Sequence, residues 1–144
     1  MKSSEVLSDL VFLGSRVSSF NLTTNKINKK GHPADVSFDF DYNIHELQQE
    51  GSNSFGVIEF IVNIKASVKK KVLFKIDLVM EGAFKSESLD EEKFKQMIEL
   101  NGLVTLSQMS RSYIQSVTAQ SGINPPVKMP LINVNKLIEL KHKE

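Results

Sequence analysis

FGVIEFIVNIKASVKKKVLFKIDLVMEGAF, residues 55–84, decides the fold. Its even positions run Ile58, Phe60, Val62, Ile64 and Ala66, then Val72, Phe74, Ile76, Leu78, Met80 and Phe84. Alternation of this length marks strands with one buried face, and the lysines at its centre, Lys69-Lys70-Lys71, mark the tip of a hairpin. That tip lacks the Asn-Gly or Asp-Gly of a tight primed turn, so the lysines read as a solvated connection that discourages unwanted pairing. The odd face is mixed: Val57, Ile61, Leu73 and Val79 share it with Glu59, Asn63, Lys65, Lys75, Asp77 and Glu81. A sheet with one continuous apolar face and one half-apolar face has something to cover on both sides.

Upstream, residues 35–44 alternate just as cleanly. Val36, Phe38, Phe40, Tyr42 and Ile44 share one face, and Asp35, Ser37, Asp39, Asp41 and Asn43 the other. The segment LVFLGSRVSSFNLTT, residues 10–24, is rich in strand formers but changes phase. Val11, Leu13 and Val17 are odd, whereas Phe20 and Leu22 are even. An extra residue near Ser18-Ser19 reconciles them, because one inserted residue swaps the faces. NKINKKGHPA, residues 25–34, reads as a connection whose one large apolar residue is Ile27.

Downstream the period changes to that of helices. Ser88 and Glu91 match a capping box, Phe94, Met97 and Ile98 follow on one face, and Asn101-Gly102 reads as a stop. A second helix is expected over 105–121, with Leu106, Met109, Tyr113 and Val117 as its stripe and Gly122 as its end. Pro125, Pro126 and Pro130 then keep the chain extended, before a short turn at 134–140. Gly51, Gly56 and Gly82 read as isolated glycines at strand edges. The expected fold is α+β: one domain over 1–144, a four-stranded antiparallel sheet with two C-terminal helices, and flexible ends at 1–9 and 139–144.

Composition narrows the function. A chain of 144 residues buries roughly 70% of its unfolded surface in one core. A net charge of +1 argues against a dedicated nucleic-acid binder, and the absence of cysteine removes thiol chemistry and sulfur-ligated metal. The first residues lack signal-peptide architecture, and no run reaches membrane-span length, so a cytoplasmic protein without membrane insertion is expected. His32, His45 and His142 are scattered without metal-ligand spacing, and read as surface or edge histidines. Asp39 and Asp41 read as solvated acids of an amphipathic strand, and Lys29-Lys30 and Lys69–Lys71 as solvated turns. No phosphate loop or nucleophile elbow is present. The expectation is therefore no enzyme, no cofactor, no metal and no nucleic acid.

The order of elements and their local wording resemble the SecB family of protein-export chaperones. The pieces are GSRVSSFNL at 14–22, Asp35-Val-Ser-Phe-Asp-Phe-Asp41, VIEFIVNIKASV at 57–68, and Gly82-Ala-Phe84. Ser110-Arg111, Gly122-x-x-Pro125-Pro126 and Pro130-Leu-Ile-Asn133 complete the likeness. The resemblance implies a cytosolic dimer of dimers that holds unfolded or nascent polypeptides in apolar grooves without ATP. It implies groove candidates Phe20, Leu22, Ile27, Ile44, Leu106, Met109 and Tyr113. It implies an assembly surface from Val57, Ile61, Leu73, Val79, Phe94 and Met97. The resemblance implies acids on the first strand for docking to a SecA-type motor, where this chain has Val17 and Asn21. Those departures keep a chaperone dedicated to an antitoxin as an alternative, beside a non-chaperone binding scaffold of the same fold.

Overall fold

A computed structural model describes residues 1–26 and 33–144. Four long strands, β1 (Val11–Thr24), β2 (Asp35–Glu50), β3 (Asn53–Val68) and β4 (Lys71–Ser86), form one antiparallel sheet in the order β1-β4-β3-β2. A four-residue helix α1 (Ser3–Val6) precedes them; α2 (Glu91–Gln120) and α3 (Val134–His142) follow. The expected four-stranded antiparallel α+β fold is therefore present. β1 and β2, consecutive in the chain, occupy opposite edges of the sheet. The bulge expected near Ser18 is there: Val17 pairs with Met80 but Ser19 with Val79.

The even face of β3 and β4 makes the core. Ile58, Phe60, Val62, Ile76 and Leu78 have no exposed surface, and α2 lies across them. At roughly 1.5–3 kcal/mol per fully buried large apolar side chain, this face is the main stabilising element of the fold. Aromatic rings continue the layer toward the β2 edge, with Phe38, Phe40 and Phe60 stacked at centroid distances of 6.3 and 6.0 Å.

Three features around α2 differ from the sequence-based expectation. The helix starts later: Asp90, not Ser88, caps it by accepting a hydrogen bond from the Lys93 amide at 2.8 Å. Ser86 Oγ instead receives the amides of Ser88 and Leu89, which holds this stretch in a turn. Asn101-Gly102 does not stop the helix, so α2 is one element of 30 residues. Gly102 is buried at its middle, where a Cβ would lie 2.9 Å from Ile58 Cγ2. Gly56 and Gly82 are not edge glycines either. They lie on the central strands β3 and β4, where a Cβ would meet Ile98 Cδ1 at 2.7 Å and Leu106 Cδ2 at 3.1 Å. The three glycines together let helix and sheet approach closely.

The β3–β4 tip is a two-residue primed-type turn, with Lys69 at φ 50° and Lys70 at φ 67°. Lysine is forced there into the left-handed region, which costs a Cβ-bearing residue roughly 1–2 kcal/mol. Replacing Lys69-Lys70 with Asn-Gly should therefore raise the unfolding free energy by about 1 kcal/mol, read as a higher urea midpoint at unchanged slope.

The C-terminal end is not loose through its whole expected length. Residues 134–142 are helical, and Val134, Leu137 and Ile138 pack on the core. Lys141 Nζ donates to Asp41 Oδ1 at 2.8 Å, which holds that carboxyl below its usual range and raises the lysine in return. Burial and the Glu99 carboxylate push the Tyr42 hydroxyl well above its usual range, so it stays protonated and donates to Glu99 Oε2 at 2.8 Å. His142 Nε2 meets the same oxygen at 2.8 Å. The last helix is thus fastened to both α2 and the β2 edge.

Candidate functional site

A cleft opens where the ends of β1, β2 and β4 meet the chain leaving α2. It has a volume of about 590 Å³. Val36 and Phe38 line it from β2, Leu73 and Phe74 from β4, and Ile123 and Val127 from the proline segment. This volume falls within the range of small-ligand sites, but the cleft is open, and its lining is mostly apolar. Val36 is 45% exposed beside it.

Local chemistry explains how the walls come together. α2 ends in a Schellman arrangement: Gly122 takes φ +82°, Ile123 N–H donates to Thr118 O at 3.0 Å, and Gly122 N–H to Ala119 O at 3.4 Å. The helix end expected at Gly122 is therefore real, and only glycine adopts that φ cheaply. The prolines that follow cannot resume a helix, and the segment folds back along α2. Thr118, fully buried, fastens it there: its Oγ1 donates to Ile114 O at 2.7 Å and accepts from Val127 N–H at 3.0 Å. Arg111 Nε holds the next turn through Met129 O at 2.8 Å. Across the cleft, Asn25 ties the end of β1 to β4 through its amide to Leu73 O and its side chain to Val72 O.

The six groove candidates among the described residues fall elsewhere. Phe20 and Tyr113 touch, with ring centroids 5.3 Å apart, and half-buried Leu22 and Met109 lie along the same strand and helix. Ile44 sits on β2, at the opposite edge of the sheet from β1. Leu106 is fully buried under Gly82 and offers no surface. Ile27 lies outside the described residues, as do His32 and Lys29-Lys30. Of the six assembly candidates, Val57, Ile61 and Val79 are half-buried on the open face, and Leu73 lines the cleft. Phe94 is only 2% exposed within the chain's own core, and so is lost from the assembly surface. Met97, half-buried, lies on α2, which covers the other side of the sheet.

Sequence reasoning missed the cleft because its walls are remote in the chain and meet only through the strand order. The available signal was the exposed end of the β2 apolar stripe, Val36 and Phe38, next to a proline run that cannot be helical.

The open face of the sheet carries rows of polar side chains. Asn63 bonds Asp77 at 2.6 Å, and Lys75 stands 3.9 Å from the same carboxylate. Arg16 pairs with Glu81 at 3.0 Å, and His45 with Glu59 at 2.7 Å. Among the described residues, no helix is long and apolar enough to cross a membrane.

Comparison with known proteins agrees with this architecture. The family profile described as "Preprotein translocase subunit SecB" matches residues 17–144. No curated protein sequence matches the chain. A SecB-like chaperone from Mycobacterium tuberculosis, solved in complex with a ChAD peptide from the HigA1 antitoxin, is similar in structure, with a TM-score of 0.68 and 12% identity. That match covers 85% of this chain and 90% of the other. A Streptococcus agalactiae protein of unknown function has a TM-score of 0.54 and 15% identity, over 85% of this chain and 97% of its own. At these identities the two structures speak for the fold.

Proposed function

We propose, since this chain belongs to the SecB family, that it is an ATP-independent holdase for unfolded or nascent polypeptides, acting in the cytoplasm without catalysis. The observation that carries this reading is the open apolar cleft at the ends of the strands, walled by Val36, Phe38, Leu73, Phe74, Ile123 and Val127. An extended client would seat alternate apolar side chains there, while its backbone pairs with a free strand edge. Each such contact is weak. Assembly as a dimer of dimers would multiply it, because linked sites convert later binding steps into intramolecular ones. A native mass corresponding to four 16.2 kDa subunits is the expected assembly.

Delivery to a translocation motor is the destination the family suggests. A second reading, service to an antitoxin, is favoured by the open face, where Glu81, Glu59 and Asp77 are each occupied by a neighbouring cation, histidine or amide. Acids so engaged are poor docking charges for a basic partner. The similar mycobacterial chaperone binds an antitoxin peptide.

Val36→Asp places a charge at the mouth of the cleft on a residue already 45% exposed, so folding should be spared. It should weaken client holding about tenfold, measured as the concentration that suppresses aggregation of a slowly refolding protein. Ile123→Asp should act in the same direction from the opposite wall. Wild-type protein that leaves aggregation unchanged would remove the holdase reading; variants as active as wild type would move the client site away from this cleft.

A further inference from the structure

We infer that His45, Glu59 and Glu81 form a site for one divalent transition-metal ion on the open face of the sheet, independent of client holding. The three residues come from three adjacent strands, β2, β3 and β4, and their ligand atoms lie within 4.8 Å of one another. His45 Nε2 is 2.7 Å from Glu59 Oε2 and 3.9 Å from Glu81 Oε1.

Three observations make this more than a chance meeting of charges. First, each carboxylate has one oxygen committed to an orienting partner and the other turned to the histidine. Asn43 Nδ2 donates to Glu59 Oε1 at 2.9 Å, and Arg16 grips Glu81 Oε2 at 3.0 Å, leaving Glu59 Oε2 and Glu81 Oε1 to converge with Nε2. Outer partners that fix the orientation of ligating side chains are the usual companions of a metal site. Second, His45 reaches the cluster from an irregularity in β2, where pairing skips from Ile44–Ile58 to Glu46–Val57. An extra residue of this kind re-aims a side chain. Third, Glu59 and Glu81 are direct cross-strand partners, with side chains only 15% and 20% exposed. Like charges placed opposite each other destabilise a sheet. Arg16 pairs with Glu81 and His45 with Glu59, and a dication would bridge the two carboxylates.

One imidazole nitrogen and two carboxylate oxygens suit zinc and its neighbours better than calcium or magnesium, which take oxygen alone. A tetrahedral ion with bonds of about 2.0–2.2 Å holds its ligands about 3.4 Å apart, a spacing the two distances bracket. The face is open, so a fourth position would be left to water or to a ligand from a docked partner.

Calorimetric titration of the intact protein with zinc chloride should show one saturable site per subunit. His45→Ala and the pair Glu59→Gln/Glu81→Gln should each weaken it at least tenfold. Asn43→Ala, a positioning change, should weaken it about tenfold while leaving the ligands in place. The His32→Ala/His142→Ala pair should leave it unchanged, and calcium should give no saturable heat. The metal-free melting curve of His45→Ala, matched to wild type, would show that the fold is intact. No saturable zinc binding, or binding that survives His45→Ala but is lost with His142→Ala, would overturn the inference.

Discussion

Gly102→Val should lower the unfolding free energy by about 3 kcal/mol, because it overfills the helix–sheet seam. A first carbon at this position already meets Ile58 Cγ2 at 2.9 Å and Phe84 Cε2 at 3.4 Å. The Ile58 methyl hangs on a branched carbon with little rotamer freedom, so it cannot step aside cheaply. Two further methyls on valine have nowhere to go but into the central strands. The helix would have to lift, exposing the face formed by Ile58, Phe60 and Leu78. Gly102→Ala is the instructive control: it gains about 1 kcal/mol of helix propensity while meeting the same first contact, so its net change should be small. A urea midpoint for Gly102→Val equal to that of wild type would show that helix and sheet do not approach as closely here as the structure has them.

Thr118→Val should cost about 2 kcal/mol and loosen the proline segment with it. The substitution keeps the shape of the side chain and removes one oxygen. That oxygen is the acceptor for Val127 N–H, at 3.0 Å, in a place where both residues are buried. A buried amide left without a partner costs roughly 1–3 kcal/mol, because it gave up water on folding and receives nothing in return. The expected result is a lower denaturation midpoint with faster hydrogen exchange across residues 123–129. Client holding should fall as well, since Ile123 and Val127 form one wall of the cleft. Unchanged exchange in that segment would show that something other than Thr118 holds it.

The two cases mark where the sequence is legible. The strands are readable because β3 and β4 each have a buried face of period two, and that pattern has no rival interpretation over so many residues. The shift of phase in β1 is readable for the same reason. α2 is harder. Its buried row runs Phe94, Ile98, Gly102, Leu106, Ser110, Ile114 and Thr118, a strict spacing of four in which three members are small or polar. A search for large apolar residues therefore sees two short helices, and Asn101-Gly102 then resembles a stop. The row also drifts about 40° around the helix at each step, since four residues overshoot a turn of 3.6. Its second and fourth members, Ile98 and Leu106, face the sheet at Gly56 and Gly82, and its last, Thr118, faces Val127. The cleft left only one trace, the β2 stripe at Val36 and Phe38 beside the proline run, and the His45 cluster left none. The cleft depends on the strand order β1-β4-β3-β2, which no local pattern encodes, and the His45 cluster depends on the irregularity between Ile44 and Glu46.

That strand order has a consequence for the birth of the molecule. β2, β3 and β4 pair through two tight hairpins as they are made, but β1 pairs only with β4, matching Val11 to Lys85 and Thr24 to Phe74. Its partner is therefore the last strand to be synthesised. At roughly 5–20 residues per second, the delay on a ribosome is on the order of seconds. Throughout that time the stretch that carries Val11, Phe12, Leu13, Val17, Phe20 and Leu22 lacks the strand it pairs with in the folded sheet. For those seconds the chain's own first strand is the kind of segment that a holdase binds.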